Sequence, residues 1–171
     1  MQTNYRTERL LLRKLTAEDA AFIFELVNTG GWIKFIGDRN VNNKEDAEGY
    51  IQKIFANPDV NYLVVTLHDD QTPIGIITLI KRDYLDHHDI GFAFLPAHAK
   101  QGYAFEAADA VIADLLRLEQ HETILATTLK ENDASIQLLK KLGFVFNKEI
   151  NNGNDMLQLF AITKLKLYNL K

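Results

Sequence analysis

The feature that most constrains the fold is a change in the spacing of apolar residues near position 100. Before this point, three apolar runs rich in β-branched residues follow one another closely, at residues 62–67, 74–80 and 90–95. Such runs are typical of β-strands, and their short separations favour an antiparallel meander. After it, apolar residues recur at helical spacing from Tyr103 to Leu116, which predicts a long helix. The pattern therefore predicts a sheet against which helices pack.

The flanking segments extend this pattern in both directions. Further strands are expected at residues 10–12, at residues 123–128, and in a final hairpin of residues 144–146 with 156–162. Further helices are expected after a capping-box sequence at residues 16–19, at residues 43–55, and at residues 134–142. We expect Gly30-Gly31 to end the first of these helices. The order of elements predicts an α/β fold with a mixed sheet.

The length predicts a single domain. With 171 residues, 47% of them hydrophobic, the chain matches one domain of about 150 residues. We expect this domain to span residues 1–171, with a core over about residues 7–164 and a short C-terminal tail. No repeat or linker interrupts the sequence.

Composition argues against several classes of function. The chain has no cysteine, which excludes disulfides, thiol nucleophiles and Cys-ligated metals, and we expect no metal. The formal net charge of −4 gives no electrostatic reason to bind a nucleic acid. No apolar run approaches the ~20 residues that span a bilayer, and the N-terminus lacks the apolar region of a signal peptide. We therefore expect a cytoplasmic protein without nucleic-acid or membrane partners.

Residues 90–104 carry a strand, a loop and the start of the long helix. Gly102 stands at the beginning of the helix, where unpaired N–H groups and the helix dipole favour a phosphate. Gly102 and Ala104 keep the loop backbone approachable, and Lys100 adds a positive charge. The loop lacks the Gly-Lys-Ser/Thr of a P-loop and the three glycines of a dinucleotide fingerprint. On these residues alone, a phosphate site and an ordinary strand-to-helix connection both stay open.

A second segment, residues 131–144, places polar residues at the start of another helix. Asn132 is of a residue type that caps helices, and Ser135 lies in the first turn. Both side chains then emerge beside the preceding strand. The residues themselves are compatible with a functional site or with capping alone.

Together these segments resemble the GCN5-related N-acetyltransferase (GNAT) superfamily, and within it the RimJ/RimL-type branch of ribosomal-protein N-terminal acetyltransferases. The resemblance covers roughly residues 7–164, with its motifs in the family's order. The matching segments are Thr7-Glu8-Arg9-Leu10-Leu11-Leu12-Arg13, Ile90-Gly91-Phe92 with Pro96 and Gly102-Tyr103-Ala104, and Asn132-x-x-Ser135 with Lys141-Leu142-Gly143-Phe144.

The resemblance implies a mixed, largely antiparallel seven-stranded sheet, flanked by helices, in which two parallel central strands splay apart. Residues 90–95 and 123–128 are those strands, and the pantetheine arm of acetyl-CoA is expected between them. The residues that the resemblance assigns to acetyl-CoA binding are Phe92, Ala93, Phe94, Ala99, Lys100, Gln101, Gly102, Tyr103, Ala104 and Asn132.

Three positions depart from the family pattern. The family loop begins with Gln or Arg where this chain has Ala99, and the branch often has glycine in place of Lys100. Many members carry a tyrosine, the acid for the departing thiolate, where this chain has Leu139. The resemblance therefore assigns protonation of the thiolate to Ser135, with water as the alternative.

The implied reaction is direct attack of a neutral amine on the thioester, so the absence of cysteine is no obstacle. Backbone donors are expected to stabilise the developing oxyanion. An α-amino group, with a pKa of about 7.7–8.0, is partly neutral at pH 7, so a weak base or a water chain suffices. Asp89 is the candidate base by position, with His88 and Glu8 as alternatives; Asp89 and His88 are equally compatible with a solvated loop pair.

The acceptor pocket of the superfamily forms from the first two helices and the last hairpin. Residues that this places near the pocket are Trp32, Phe35, Asp38, Arg39 and Tyr84, although Trp32 and Phe35 also fit a core. The predicted function is acetyl transfer from acetyl-CoA to a primary amine, on a protein N-terminus or a small molecule, by a monomer or homodimer. The alternatives are a catalytically idle CoA-binding module and a structural domain that binds no CoA.

Overall fold

A computed structural model of the protein describes residues 2–118 and 121–165. In these ranges one sheet contains eight strands in the spatial order β1-β2-β3-β4-β5-β6-β8-β7. The strands are β1 (Asn4–Arg6), β2 (Leu10–Lys14), β3 (Val60–Leu67), β4 (Pro73–Ile80), β5 (Asp89–Phe94), β6 (Thr123–Leu129), β7 (Val145–Asn151) and β8 (Met156–Thr163). Neighbouring strands are antiparallel, except for the parallel pair of β5 and β6. The predicted mixed, largely antiparallel sheet is confirmed.

Helices cover both faces of the sheet. They are α1 (Ala20–Val27), α2 (Gly30–Phe35), α3 (Lys44–Phe55), α4 (Tyr103–Arg117) and α5 (Asp133–Lys141). Successive residues of β3 show the two layers, because side chains alternate across a strand. Leu63 and Val65 pack in the core that contains α4 and α5, whereas Val64 packs in the core that contains α1, α2 and α3.

The sheet has one strand more than the predicted seven. The additional strand is β1, which pairs with β2 so that Tyr5 lies opposite Leu12. The Tyr5 hydroxyl donates to the Asp114 carboxylate of α4 at 2.7 Å, which ties this edge strand to the helix. A strand of three residues with one buried side chain is too short to show a period-2 pattern, so β1 could not be predicted from the sequence.

The prediction that Gly30-Gly31 ends the first helix is wrong. Helix α1 ends at Val27, and the two glycines are the first residues of α2. The physical reason is Thr29, whose hydroxyl accepts the N–H of Trp32 at 3.3 Å and so caps α2. Other predicted helices and strands agree with the structure to within a few residues.

A short C-terminal tail is predicted after Lys164. From residue 166 onward, this tail lies outside the described residues. Among the helices of the described ranges, none is long and apolar enough to cross a membrane.

Candidate active site

The two parallel strands at the centre of the sheet are joined at one end only. Their register pairs Asp89 with Leu125, and the Leu125 N–H donates to the carbonyl of His88 at 2.9 Å. Beyond this point β5 stays paired with β4 as far as Phe94, and β6 stays paired with β8 as far as Leu129. The facing edges of β5 and β6 therefore leave a V-shaped gap, as the family resemblance implies.

Asp89 lies at the vertex of this gap and explains why the strands part there. Its carboxylate accepts the N–H of Thr127 on β6 at 3.0 Å and forms an ion pair with Arg82. A side chain thus takes the hydrogen bond that a β5 carbonyl would take in a continuous ladder. Asp89 is 3% exposed, and this burial raises the pKa of its carboxyl, while the Arg82 guanidinium and the Thr127 amide oppose the rise.

The loop that follows β5 presents a run of backbone donors. Within the described ranges, the N–H groups of residues 100–105 donate no hydrogen bond. Lys100 and Gly102 have φ angles of 59° and 85°, a left-handed conformation typical of anion-binding loops. Helix α4 begins at Tyr103, so the positive end of its dipole adds to these donors. We call residues 99–105 the amide cradle; its six free N–H groups suit a pyrophosphate.

Arg9, near the N-terminus, contacts the amide cradle and the first turn of α4. Its guanidinium donates to the carbonyl of Gln101 at 3.0 Å and forms an ion pair with Glu106 at 2.6 Å. It also lies over the Tyr103 ring, 4.6 Å from the centroid. Arg9 therefore adds a positive charge beside the cradle. In the sequence Arg9 stands out only as part of the motif at residues 7–13, from which this contact could not be predicted.

Helix α5 begins shortly after β6, the second of the two strands that border the gap. Asn132 caps the helix, because its side-chain oxygen accepts the N–H of Ser135 at 3.2 Å. This bond leaves the amide NH₂ of Asn132 without a partner among the described residues. The Ser135 side chain is half-buried and makes no hydrogen bond within the same ranges. Both groups are therefore available to a molecule bound in the gap.

A second cavity, of about 600 Å³, opens beside the vertex. We call it the side cleft; its walls come from Arg39, from α3, from the ends of β3 and β4, and from the loop after β4. Arg82 links the two sites, because it lines the side cleft and pairs with Asp89. On another wall the hydroxyls of Tyr50 and Tyr62 lie 3.1 Å apart. The molecule thus has a backbone-lined gap and a cleft lined by side chains at adjoining positions.

Comparison with known proteins identifies the family. The Acetyltransferase (GNAT) domain model matches residues 9–145. The chain is also 31% identical over 155 residues to the uncharacterized N-acetyltransferase YnaD of Bacillus subtilis (strain 168), across 87% of this chain and 89% of the relative. This chain belongs to the GNAT acetyltransferase family. It is an acyltransferase, a member of a family that uses acetyl-CoA and transfers acetyl groups to amines.

Solved GNAT structures share the fold over nearly the whole chain. An acetyltransferase (GNAT family) from Bacillus anthracis is 26% identical, with a TM-score of 0.80, across 95% of this chain and 99% of that one. The spermidine N-acetyltransferase of Vibrio cholerae, in complex with CoA and spermine, is 20% identical, with a TM-score of 0.78, across 95% and 100% of the two chains. At 20% identity, the similarity to the spermidine N-acetyltransferase shows a shared fold only.

In this GNAT chain the residues predicted to bind acetyl-CoA lie in three neighbouring places. Phe92, Ala93 and Phe94 are on β5, along the gap. Residues 99–104 lie in the amide cradle, and Asn132 lies at the start of α5 with Ser135. The departures at Ala99 and Lys100 leave the backbone donors of the cradle in place.

The residues predicted for the acceptor pocket divide into two groups. Tyr84 and Arg39 line the side cleft. Trp32 does not, because it is 3% exposed and packs in the core between α1 and α3, where its indole N–H has no partner among the described residues. Phe35 and Asp38 are also absent from the walls of the cleft.

Several residues of the side cleft were missed in the sequence. They are Tyr50, Lys53, Tyr62, Lys81 and Arg82. In the sequence, Tyr50 fits the apolar spacing of a helix and Tyr62 fits the apolar run of a strand. Neither pattern predicts that the two hydroxyls are hydrogen-bonded to each other. The charged run Lys81-Arg82-Asp83 directly after a buried strand was the available signal.

Proposed function

We propose that this GNAT protein transfers the acetyl group of acetyl-CoA to a primary amine, on a protein N-terminus or a small molecule. The observation that carries the proposal is the amide cradle, with six unpaired N–H groups at the start of α4, placed at the open end of the gap between β5 and β6. When bound, acetyl-CoA supplies the thioester that the amine attacks. We place the proposal within the RimJ/RimL-type branch because of the motifs at residues 7–13 and 132–144.

The chain's own groups divide the work of binding. The amide cradle holds the pyrophosphate, with Arg9 and Lys100 supplying positive charge nearby. The edge of β5 at residues 92–94 offers backbone groups to the pantetheine arm, because β6 does not pair with it there. Asn132 contributes its unused amide NH₂.

Ser135 and Asp89 take different roles in the proposed reaction. The Ser135 hydroxyl donates a proton towards the departing sulfur, which has a pKa near that of a free thiol, about 8.5, so the assistance is modest. Asp89 is engaged with Arg82 and Thr127, and we assign it a positioning role at the vertex. The amine then loses its proton to water in the side cleft.

A thiol-release assay tests the proposal. The protein is incubated with acetyl-CoA and a broad panel of amines, including peptides with free N-termini, and the CoA thiol is measured at pH 7 and pH 8.5. We expect release that depends on an amine and rises with pH, because the neutral fraction of the amine rises. Binding of acetyl-CoA without amine-dependent thiol release across the panel would contradict the proposal.

A further inference from the structure

The side cleft has a charge opposite to that of the whole chain. Four cationic side chains line it: Arg39, Lys53, Lys81 and Arg82. Two carboxylates line it, those of Asp59 and Asp83. A third, that of Asp89, lies nearby and is paired with Arg82. The chain as a whole carries −4. The cleft therefore has a local excess of positive charge.

Two of these cations have no counter-ion. Within residues 2–118 and 121–165, neither Arg39 nor Lys53 forms an ion pair. By contrast, Arg82 is paired with Asp89, and the Lys81 ammonium donates to the carbonyls of Leu85 and Asp86 at 3.4 and 3.0 Å. The guanidinium of Arg39 thus faces the cleft with its donors available.

A phenol pair supplies a neutral donor in the same cleft. The hydroxyls of Tyr50 and Tyr62 are bonded to each other at 3.1 Å and to no other described group. In such a pair one hydroxyl donates to the other, and the second keeps its own O–H to donate elsewhere. Burial and the bond to Tyr50 raise the pKa of Tyr62, against the charges of Arg39 and Arg82, so the Tyr62 hydroxyl stays protonated.

A guanidinium and a phenol O–H that line one cleft are a donor set suited to a carboxylate. We infer that the side cleft binds a carboxylate of the acceptor, so that the amine acetylated belongs to a small, amino-acid-like molecule; this rests on the proposed function. A cleft of about 600 Å³ is of the size that holds such a molecule. Asp59 and Asp83 lie on the same walls and complement its ammonium group.

The inference separates this chain from the polyamine enzyme that shares its fold. The structure of the spermidine N-acetyltransferase contains spermine, a ligand whose ionised groups are all cationic. In the side cleft such a ligand meets the unpaired charges of Arg39 and Lys53, which disfavours it. The carboxylate, and not the amine alone, is therefore the feature that this cleft selects.

Matched acceptors test the inference. Thiol release is measured with the twenty standard amino acids, with the carboxamides of the same amino acids, and with spermidine. For the amino acids that react, we expect kcat/KM about tenfold or more above that of the carboxamide, the value of one charge-assisted hydrogen bond. Arg39→Gln should remove most of this advantage, because it lowers kcat/KM for the acid far more than for the carboxamide, whereas Arg117→Gln, outside the cleft, should leave the ratio of the two as in wild type.

The outcomes separate the two proposals. Thiol release that is equal for acids and carboxamides, or best with spermidine, overturns the inference and leaves the proposed function standing. The absence of release with every amine overturns the proposed function. In that event, thermal shifts of the CoA-saturated protein with the same compounds still decide the inference: stabilisation by acids alone, lost in Arg39→Gln, supports it, and the absence of such a difference overturns it.

Discussion

The amide cradle and the side cleft border the same gap between β5 and β6 but are built from different parts of the chain: the cradle lies at the open end of the gap, and the side cleft lies beside its vertex. The donors of the cradle are the backbone N–H groups of consecutive residues, 100–105, in the loop after β5 and the first turn of α4. The side cleft consists of side chains spread from Arg39 to Tyr84, on helix α3, two strands and a loop. The cradle therefore depends on backbone conformation, whereas the cleft depends on the identity of each side chain.

This difference matches two different tasks. A backbone site binds a constant ligand and tolerates changes such as Ala99 and Lys100, because the donors are not side chains. A side-chain site can change its ligand by a single substitution and leave the fold intact. We therefore expect substitutions in the cradle to affect the donor with every acceptor, and substitutions in the cleft to affect individual acceptors.

The largest effect is expected at the vertex, where the gap meets the side cleft. Asp89→Ala removes the partner of Arg82 and of the Thr127 N–H, and should lower the free energy of unfolding by about 3 kcal/mol, since it breaks a largely buried ion pair. Urea denaturation measures this change. The control Asp86→Asn alters an exposed aspartate without an ion pair among the described residues and should stay within about 0.5 kcal/mol of wild type. A stable Asp89→Ala protein that has lost only kcat would instead identify Asp89 as the base.

The next largest effect is expected in the amide cradle. Gly102→Val places a β-branched residue at a φ of 85°, which costs about 2 kcal/mol, and directs a Cβ to within 3.3 Å of the Arg9 guanidinium. Affinity for acetyl-CoA should fall about 30-fold, whichever acceptor is present. The control Gly49→Ala lies in α3 with open space around it and should leave this affinity unchanged. Unchanged affinity in Gly102→Val would show that the cradle does not hold the donor.

A smaller effect is expected at Ser135. Ser135→Ala removes the hydroxyl that we propose as the proton donor to the departing sulfur but keeps the N–H that Asn132 accepts. We expect kcat to fall about tenfold or less, with the dissociation constant of acetyl-CoA unchanged. Gln137→Ala, an exposed change on the same helix, serves as the control. A kcat equal to that of wild type would assign thiolate protonation to water.

The smallest effect concerns pH and a histidine pair beside the vertex. His88 and His121 pack edge to face with ring centroids 5.0 Å apart. Burial lowers the pKa of both rings. The charges of Lys81 and His87 lower the pKa of His88 further, and the charge of Asp59 opposes this. The unfolded chain then binds more protons below pH ~6.5, so stability falls as pH drops below that value and is flat above it for this pair. Denaturation midpoints of wild type and His121→Gln between pH 5 and 8 measure the effect. An equal slope in both proteins would contradict it.

The same comparison explains how much the sequence could predict. The cradle could be located because Gly102, the preceding strand and the following helical stripe are contiguous. The fold class followed from hydrophobic periods, except for β1, which is too short, and for α2, where Thr29 was not recognised as a cap. The side cleft was found only through Arg39 and Tyr84, since the contact between Tyr50 and Tyr62 depends on the packing of α3 against β3.

The central claim is that the gap and the amide cradle hold acetyl-CoA, and calorimetric titration tests it most directly. Acetyl-CoA is titrated into the wild-type protein and into Gly102→Val. We expect one saturable site per chain in the wild type and affinity about 30-fold weaker in the variant. A folded wild-type protein that binds no acetyl-CoA, or two proteins with equal affinity, would contradict it.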